Sequence, residues 1–154
     1  MSEIFVITTN NSSVSAAQDI LAAYAASTKK LKLLSVQLAA NGQTTVGNYP
    51  IRIIEWASSV TPGTGGVSIT PKNLNPSGAS PSFTARAVDT THATATNSNW
   101  VISDQFNPII GYYWQAPRSE AEPKANLSDA IVLSLDSAPG GTINVSATMV
   151  LEEI

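Results

Sequence analysis

Ile143-Asn144-Val145-Ser146-Ala147-Thr148-Met149-Val150-Leu151 carries the clearest period-two pattern in the chain. Ile143, Val145, Ala147, Met149 and Leu151 fall on one side, and Asn144, Ser146 and Thr148 on the other. A helix would scatter that apolar set around its circumference, whereas a strand gathers it onto a single face that can lie on a core. Upstream, Ile131, Leu133 and Leu135 alternate with Val132 and Ser134, and Ser137 to Gly141 supplies the turn between the two runs.

Further short strands follow in both directions from this pair. Trp100–Ser103 and Ile109–Trp114 are separated by Asp104–Pro108, and Phe83–Asp89 precedes them. Ser58 to Pro81 is dominated by Ser, Thr, Gly, Pro and Asn, with Val67–Thr70 its one strand-like piece; loops of this length in a compact domain are usually functional or wrapped on a partner. Pro50 must begin a strand or lie on an edge. Ile51–Trp56 follows it with apolar residues on both sides, which predicts a sheet covered on both faces, by a helix or by a neighbouring subunit. Leu31–Ala40 places Lys32, Leu34, Val36, Leu38 and Ala40 on one face and ends at Asn41-Gly42, a strong turn signal. Ile4–Thr9 is the first strand.

One helix is expected. Ser15 and Gln18 have capping-box spacing, Ala17, Ile20, Leu21 and Tyr24 share a helical face, and the alanines between them have the best helix propensity, so Ala16–Ala26 reads as helical. About eight strands and this N-terminal α-helix predict one all-β domain over residues 1–154, an antiparallel β-sandwich or jelly roll.

Composition narrows the function. Charged residues make up 12% of the 154, against roughly 25% in typical globular chains, and there is a single histidine and no cysteine. The net charge of −3 offers no basic field, and Lys29, Lys30 and Lys32 form a short cluster, so no nucleic-acid partner is expected. The apolar stretch around Ala16–Ala26 is interrupted by Gln18 and Asp19 and falls short of the roughly 20 residues that span a bilayer, so no membrane partner is expected either. Met1-Ser2-Glu3 lacks the basic start of a signal peptide, and the absence of a disulfide framework fits cytoplasmic synthesis.

Each candidate chemistry lacks a partner residue. A Ser or Thr nucleophile would need His92, yet Asp89 and His92 point to opposite faces of a strand and no G-x-S-x-G elbow occurs, so His92 reads as a solvated loop residue. One histidine with scattered acids makes no transition-metal site, and no D-x-[DN]-x-[DN]-G calcium loop is present. Glu55, Asp104, Glu120, Glu122 and Asp136 single out no carboxylate pair, which leaves a hydrolase of cell-wall sugar as a distant reading. Pro62-Gly63-Thr64-Gly65-Gly66 lacks the lysine and following helix of a phosphate loop and reads as a flexible loop. No enzymatic activity, cofactor or metal is therefore expected. The aromatics are the better candidates: Tyr112 and Trp114 share one side of a strand, Tyr113 takes the other, and together with Trp56 and Trp100 they form the predicted interface set.

The order of features is similar to a known group. It begins with the short strand, Ala16-Ala17-Gln18-Asp19-Ile20, and Lys-Lys leading into an apolar strand. Then come Ile51-Arg52-Ile53-Ile54-Glu55, a Thr-Gly-Gly loop before Ile69-Thr70-Pro71-Lys72, Phe83-Thr84-Ala85-Arg86-Ala87, and Phe106-Asn107-Pro108 leading to Gly111. Ile131-Val132-Leu133-Ser134-Leu135, Ala138-Pro139 and Val150-Leu151-Glu152-Glu153-Ile154 close it. Over nearly its whole length this resembles small structural proteins of tailed bacteriophages and prophages, the jelly-roll capsid decoration or cement proteins. The resemblance implies a homotrimer on the virion's capsid surface that locks neighbouring major capsid protein subunits together, with the long neutral loops touching the shell. A receptor- or carbohydrate-binding head domain of a phage fibre is the alternative, motivated by the aromatics at 112 to 114.

Overall fold

The computed structural model describes residues 2–41, 47–118 and 120–154, so of the expected Asn41-Gly42 turn Gly42 lies outside the described residues. The strands are β1 (Glu3–Val14), β2 (Gln18–Tyr24), β3 (Leu31–Asn41), β4 (Tyr49–Ala57), β5 (Val67–Ile69), β6 (Lys72–Asn73), β7 (Thr84–Asp89), β8 (Asn97–Phe106), β9 (Tyr112–Gln115), β10 (Lys124–Ala125), β11 (Ala130–Leu135) and β12 (Ile143–Glu153). They form two antiparallel sheets. Sheet I has the order β10-β3-β12-β1-β6, with β9 also paired to β3; sheet II has the order β5-β7-β2-β11-β4-β8. Their inner faces meet in one apolar core that holds Phe5, Ile7, Leu33, Ile53, Leu133, Phe106 and the inward set of β12. Phe5 and Phe83 pack edge to face there, with centroids 5.4 Å apart.

The expected N-terminal helix is absent. Gln18–Tyr24 is a strand inserted between β7 and β11, and every one of its residues is buried. Leu21 and Ala23 face the main core, while Ala22 and Tyr24 belong to a second cluster on the outer face of sheet II, with Ala93, Ala130 and Val132. A run buried on both faces has no polar side, so apolar residues recur at every spacing and mimic a helical face. Hydrogen bonding to strands on both edges then outweighs the alanines' helix propensity.

The cover over sheet II comes from the chain itself, not from a helix. Residues 58–66 and 90–96 fold back over it, joined to each other at Thr61–Thr94 and Thr64–Thr91, and Val60 and Ala93 pack into the second cluster. The glycines of the 62–66 segment serve this docking. A Cβ on Gly66 would sit 2.1 Å from the Ala87 carbonyl oxygen, and one on Gly63 would sit 2.6 Å from that of Thr91. In return the Gly66 N–H reaches the buried Asp89 carboxylate at 3.0 Å, which Arg86 also holds with two nitrogens. What reads as a flexible loop is a fitted one.

Four bulges reset which residues face out. In β1, Thr9 pairs with Ala147 but Ser12 with Val145, and the buried positions pass from Phe5 and Ile7 to Val14. In β3 the pairing with β12 skips Leu34, so Leu31 and Leu33 point inward on one side of it and Val36 and Leu38 on the other. This divides the single face expected for Lys32 to Ala40. In β2, Leu21 pairs with Leu133 but Asp19 pairs with Ser134, leaving Ile20 as the extra residue. In β8, Ile102 pairs with Ile53 but Trp100 pairs with Ile54, leaving Val101 as the extra residue.

Candidate functional site

The last two bulges build the most developed polar site. Strict alternation would send Asp19 to the side of Leu21, into the core, and Trp100 to the side of Ile102. Each extra residue reverses that, and both side chains reach the outer face of sheet II. There the strand registers align Asp89, Asp19, Ser134, Arg52 and Ser103 in one row across five strands. The adjoining row carries Ala22, Val132, Ile54 and Trp100.

Between the rows and the 90–96 segment lies a groove of about 250 Å³, lined by Arg52, Ile54, Trp56, His92, Trp100 and Asp136 among others. Trp100 is 57% exposed, an unusual state for the largest side chain. The Arg52 guanidinium carbon sits 3.6 Å from the centroid of its ring, and Arg52 Nε is paired with the Asp136 carboxylate. Arg52 is thus fixed from two sides. Burial raises the Asp136 pKa above the ordinary carboxylate value, and Arg52 and His92 oppose that shift. The Trp56 indole nitrogen is buried without a hydrogen-bond acceptor among the described residues.

His92 is not the solvated loop residue that sequence suggests. Its Nδ1 lies 2.7 Å from Asp19 Oδ1 and 3.2 Å from Ser134 Oγ, and the Ala93 N–H donates to Asp19 Oδ2 at 2.7 Å. Asp19 is therefore the anchor of the 90–96 segment. Burial pushes its pKa up, against the hydrogen bonds from Ala93 and His92. The three residues have the composition of a catalytic triad without its geometry. A triad places the acid on one ring nitrogen and the nucleophile on the other; here both address Nδ1, so the imidazole cannot relay a proton from serine while held by the aspartate.

The other aromatic candidates lie elsewhere. Tyr112, Tyr113 and Trp114 are on β9, at the edge of sheet I, so the structure divides the five predicted interface residues between two places. Trp114 is half-buried and packs on the main core. Tyr112 is also half-buried, and burial, followed by the Asp104 carboxylate of β8, pushes its hydroxyl up to about 12. Tyr113 is 63% exposed. Before it runs a tight turn in which the Ile109 N–H donates to Asn107 Oδ1 at 2.9 Å and the Gly111 N–H to the Asn107 carbonyl at 2.8 Å. Gly111 has φ +85°, a conformation suited to glycine. The turn holds Ile110 out at 84% exposure, beside Ile109 and above a shallow hollow of about 280 Å³ bounded by Gln37, Leu38 and Tyr113.

Of the scattered acids, Glu120 is exposed and the others have local partners. Glu55 accepts the Lys124 N–H at 2.6 Å, Asp104 Oδ1 that of Gln105 at 2.8 Å, and Glu122 lies 3.4 Å from Lys32 Nζ. Among the described residues no three His, Asp or Glu side chains converge as metal ligands, and no helix is long and apolar enough to cross a membrane. Sequence reasoning missed Arg52, Asp19 and the role of His92, because their meeting depends on the bulges and on β2 being a strand. One signal was present: Asp19 is a charged residue beside an otherwise apolar run. No family model, curated protein or solved structure matches the chain.

Proposed function

We propose that the chain is a capsid decoration protein, a jelly-roll subunit that trimerises, binds the outside of a tailed-phage head and stabilises contacts between major capsid protein subunits. The jelly-roll reading is supported by strand order. β1-β12-β3-β9 faces β2-β11-β4-β8, and the successive strands β1 to β4 alternate between the two sheets, as two interlocked Greek keys require.

The observation that carries a contact function is the Ile109-Ile110-Gly111 turn. An isoleucine held almost fully in water by a hydrogen-bonded turn loses little conformational freedom on docking, and it stands beside an exposed tyrosine. That is the form of an interface anchor. Each docked copy would bury on the order of 1,200–2,000 Å², and three arms on one trimer would multiply modest contacts into a lasting attachment.

The test is binding to expanded heads that lack the protein. Wild-type protein should co-sediment with them and raise their resistance to heat and osmotic shock; Ile110→Asp should bind at least about tenfold more weakly with an unchanged melting curve. Absence of binding by the wild type would overturn the reading. The fibre-head alternative is favoured by one observation, the exposed Trp100 groove, and predicts adsorption of the isolated protein to host cells.

A further inference from the structure

We infer that the groove on the outer face of sheet II is a binding site for one uncharged pyranose ring of a glycan. This inference does not rest on the capsid reading, since a head-bound or a fibre-bound subunit would present the same groove. Three features select the ligand. Arg52 covers one face of the Trp100 ring at its centre, and the residue is still 57% exposed, so the ring's other face offers a flat apolar surface, a match for the C–H face of a sugar. Around it stand the groups that read hydroxyls: the Asp136 carboxylate as acceptor, the Arg52 N–H groups as donors, and His92, whose Nδ1 is engaged inside while the side chain remains 41% exposed. The groove, at about 250 Å³, is smaller than the roughly 300–1,000 Å³ of sites for drug-sized ligands and suits a single ring.

Charge decides against an acidic ligand. Arg52 is already neutralised by Asp136, so no unpaired cation is left among these groove-lining groups to hold a sulfate, phosphate or carboxylate. The site is also prearranged. Arg52 is stacked and ion-paired, His92 is tied to buried Asp19, and the bulge at Val101 fixes the direction of Trp100. Little side-chain ordering remains for the ligand to impose.

The experiment is a titration of the ¹⁵N-labelled protein with the methyl glycosides of glucose, galactose, mannose and N-acetylglucosamine, followed at the three tryptophan indole N–H resonances. Trp100 and Trp56 line the groove, and Trp114, on the other sheet, is the internal reference. At least one glycoside should move the Trp100 resonance saturably, with a Kd on the order of millimolar, and leave Trp114 in place. Trp100→Ala should weaken binding at least about tenfold as read by ligand-observed saturation transfer, and Asp136→Asn should weaken it with the Trp114 resonance unchanged. The inference is overturned if none of the four glycosides shifts Trp100, if all three indoles shift together without saturation, or if the Trp100→Ala protein binds as the wild type does. None of these results bears on attachment to heads.

Discussion

At the scale of the residue, several of this chain's few charges are tied into its structure. Glu153 is 1% exposed and takes hydrogen bonds from Lys29 Nζ at 2.8 Å and from the Ser82 N–H at 3.0 Å. Burial alone would raise its pKa; these hydrogen bonds outweigh burial and hold it below the usual 4.5. At this carboxylate the folded state therefore binds fewer protons than the unfolded chain, so the stabilisation from Glu153 is complete above about pH 4.5 and fades as pH falls through its lowered value. Glu153→Gln should be less stable at neutral pH and lose less stability on acidification below about 4.5, as read by urea titrations at a series of pH values. Glycines give a second residue-scale contrast. Gly66→Ala forces a Cβ against the backbone of β7 and should cost at least about 2 kcal/mol, whereas Gly141→Ala, with nothing within 4 Å of the new Cβ, should stay within about 0.5 kcal/mol of the wild type.

At the scale of the element, legibility followed burial. β12 was plain because one of its faces meets the core and the other carries mostly polar residues, so alternation survives from Ile143 to Glu153. β2 was misread for the opposite reason: covered on both faces and paired on both edges, it shows no alternation. The bulges at Ile20 and Val101 leave no trace in residue type, and the groove could not be assembled from sequence because those two positions turn Trp100 into it and Asp19 under His92 at its wall. The aromatics could be picked out by residue type but not sorted, since only the fold separates exposed Trp100 and Tyr113 from half-buried Trp56, Tyr112 and Trp114. The position of β2 yields its own prediction. Amide protons in the β2–β11 pairing should exchange at rates set by global unfolding, and those of two-residue β10 and three-residue β5 should exchange faster, as hydrogen-exchange NMR would show. Ala22→Leu, which crowds the second cluster, should cost about 1–3 kcal/mol in a thermal melt.

At the scale of the whole molecule, the fold is closed by pairing strands from the two ends of the described chain. β1 lies along β12 from Glu3–Glu153 to Val14–Ile143, and each also touches another strand of sheet I. Contacts of such long sequence separation are costly to close, so refolding from denaturant should take milliseconds to seconds in stopped-flow fluorescence. The proposed trimer has an equally direct check. Sedimentation equilibrium should return three times the chain mass of 16.1 kDa, and a strictly monomeric result would remove trimerisation from the proposal.

The β1–β12 register has a mechanical meaning as well. Because Glu3 sits opposite Glu153, the two strand ends emerge side by side, and a force pulling them apart loads the inter-strand hydrogen bonds one pair at a time. Strands joined this way unzip; strands loaded lengthwise in opposite directions must shear all their bonds together. A subunit tethered through those ends would be soft, while one gripped through its sheet faces would bear load on its core. For a protein whose proposed task is to resist strain in a shell, that geometry favours holding by the faces and leaves the ends free of tension.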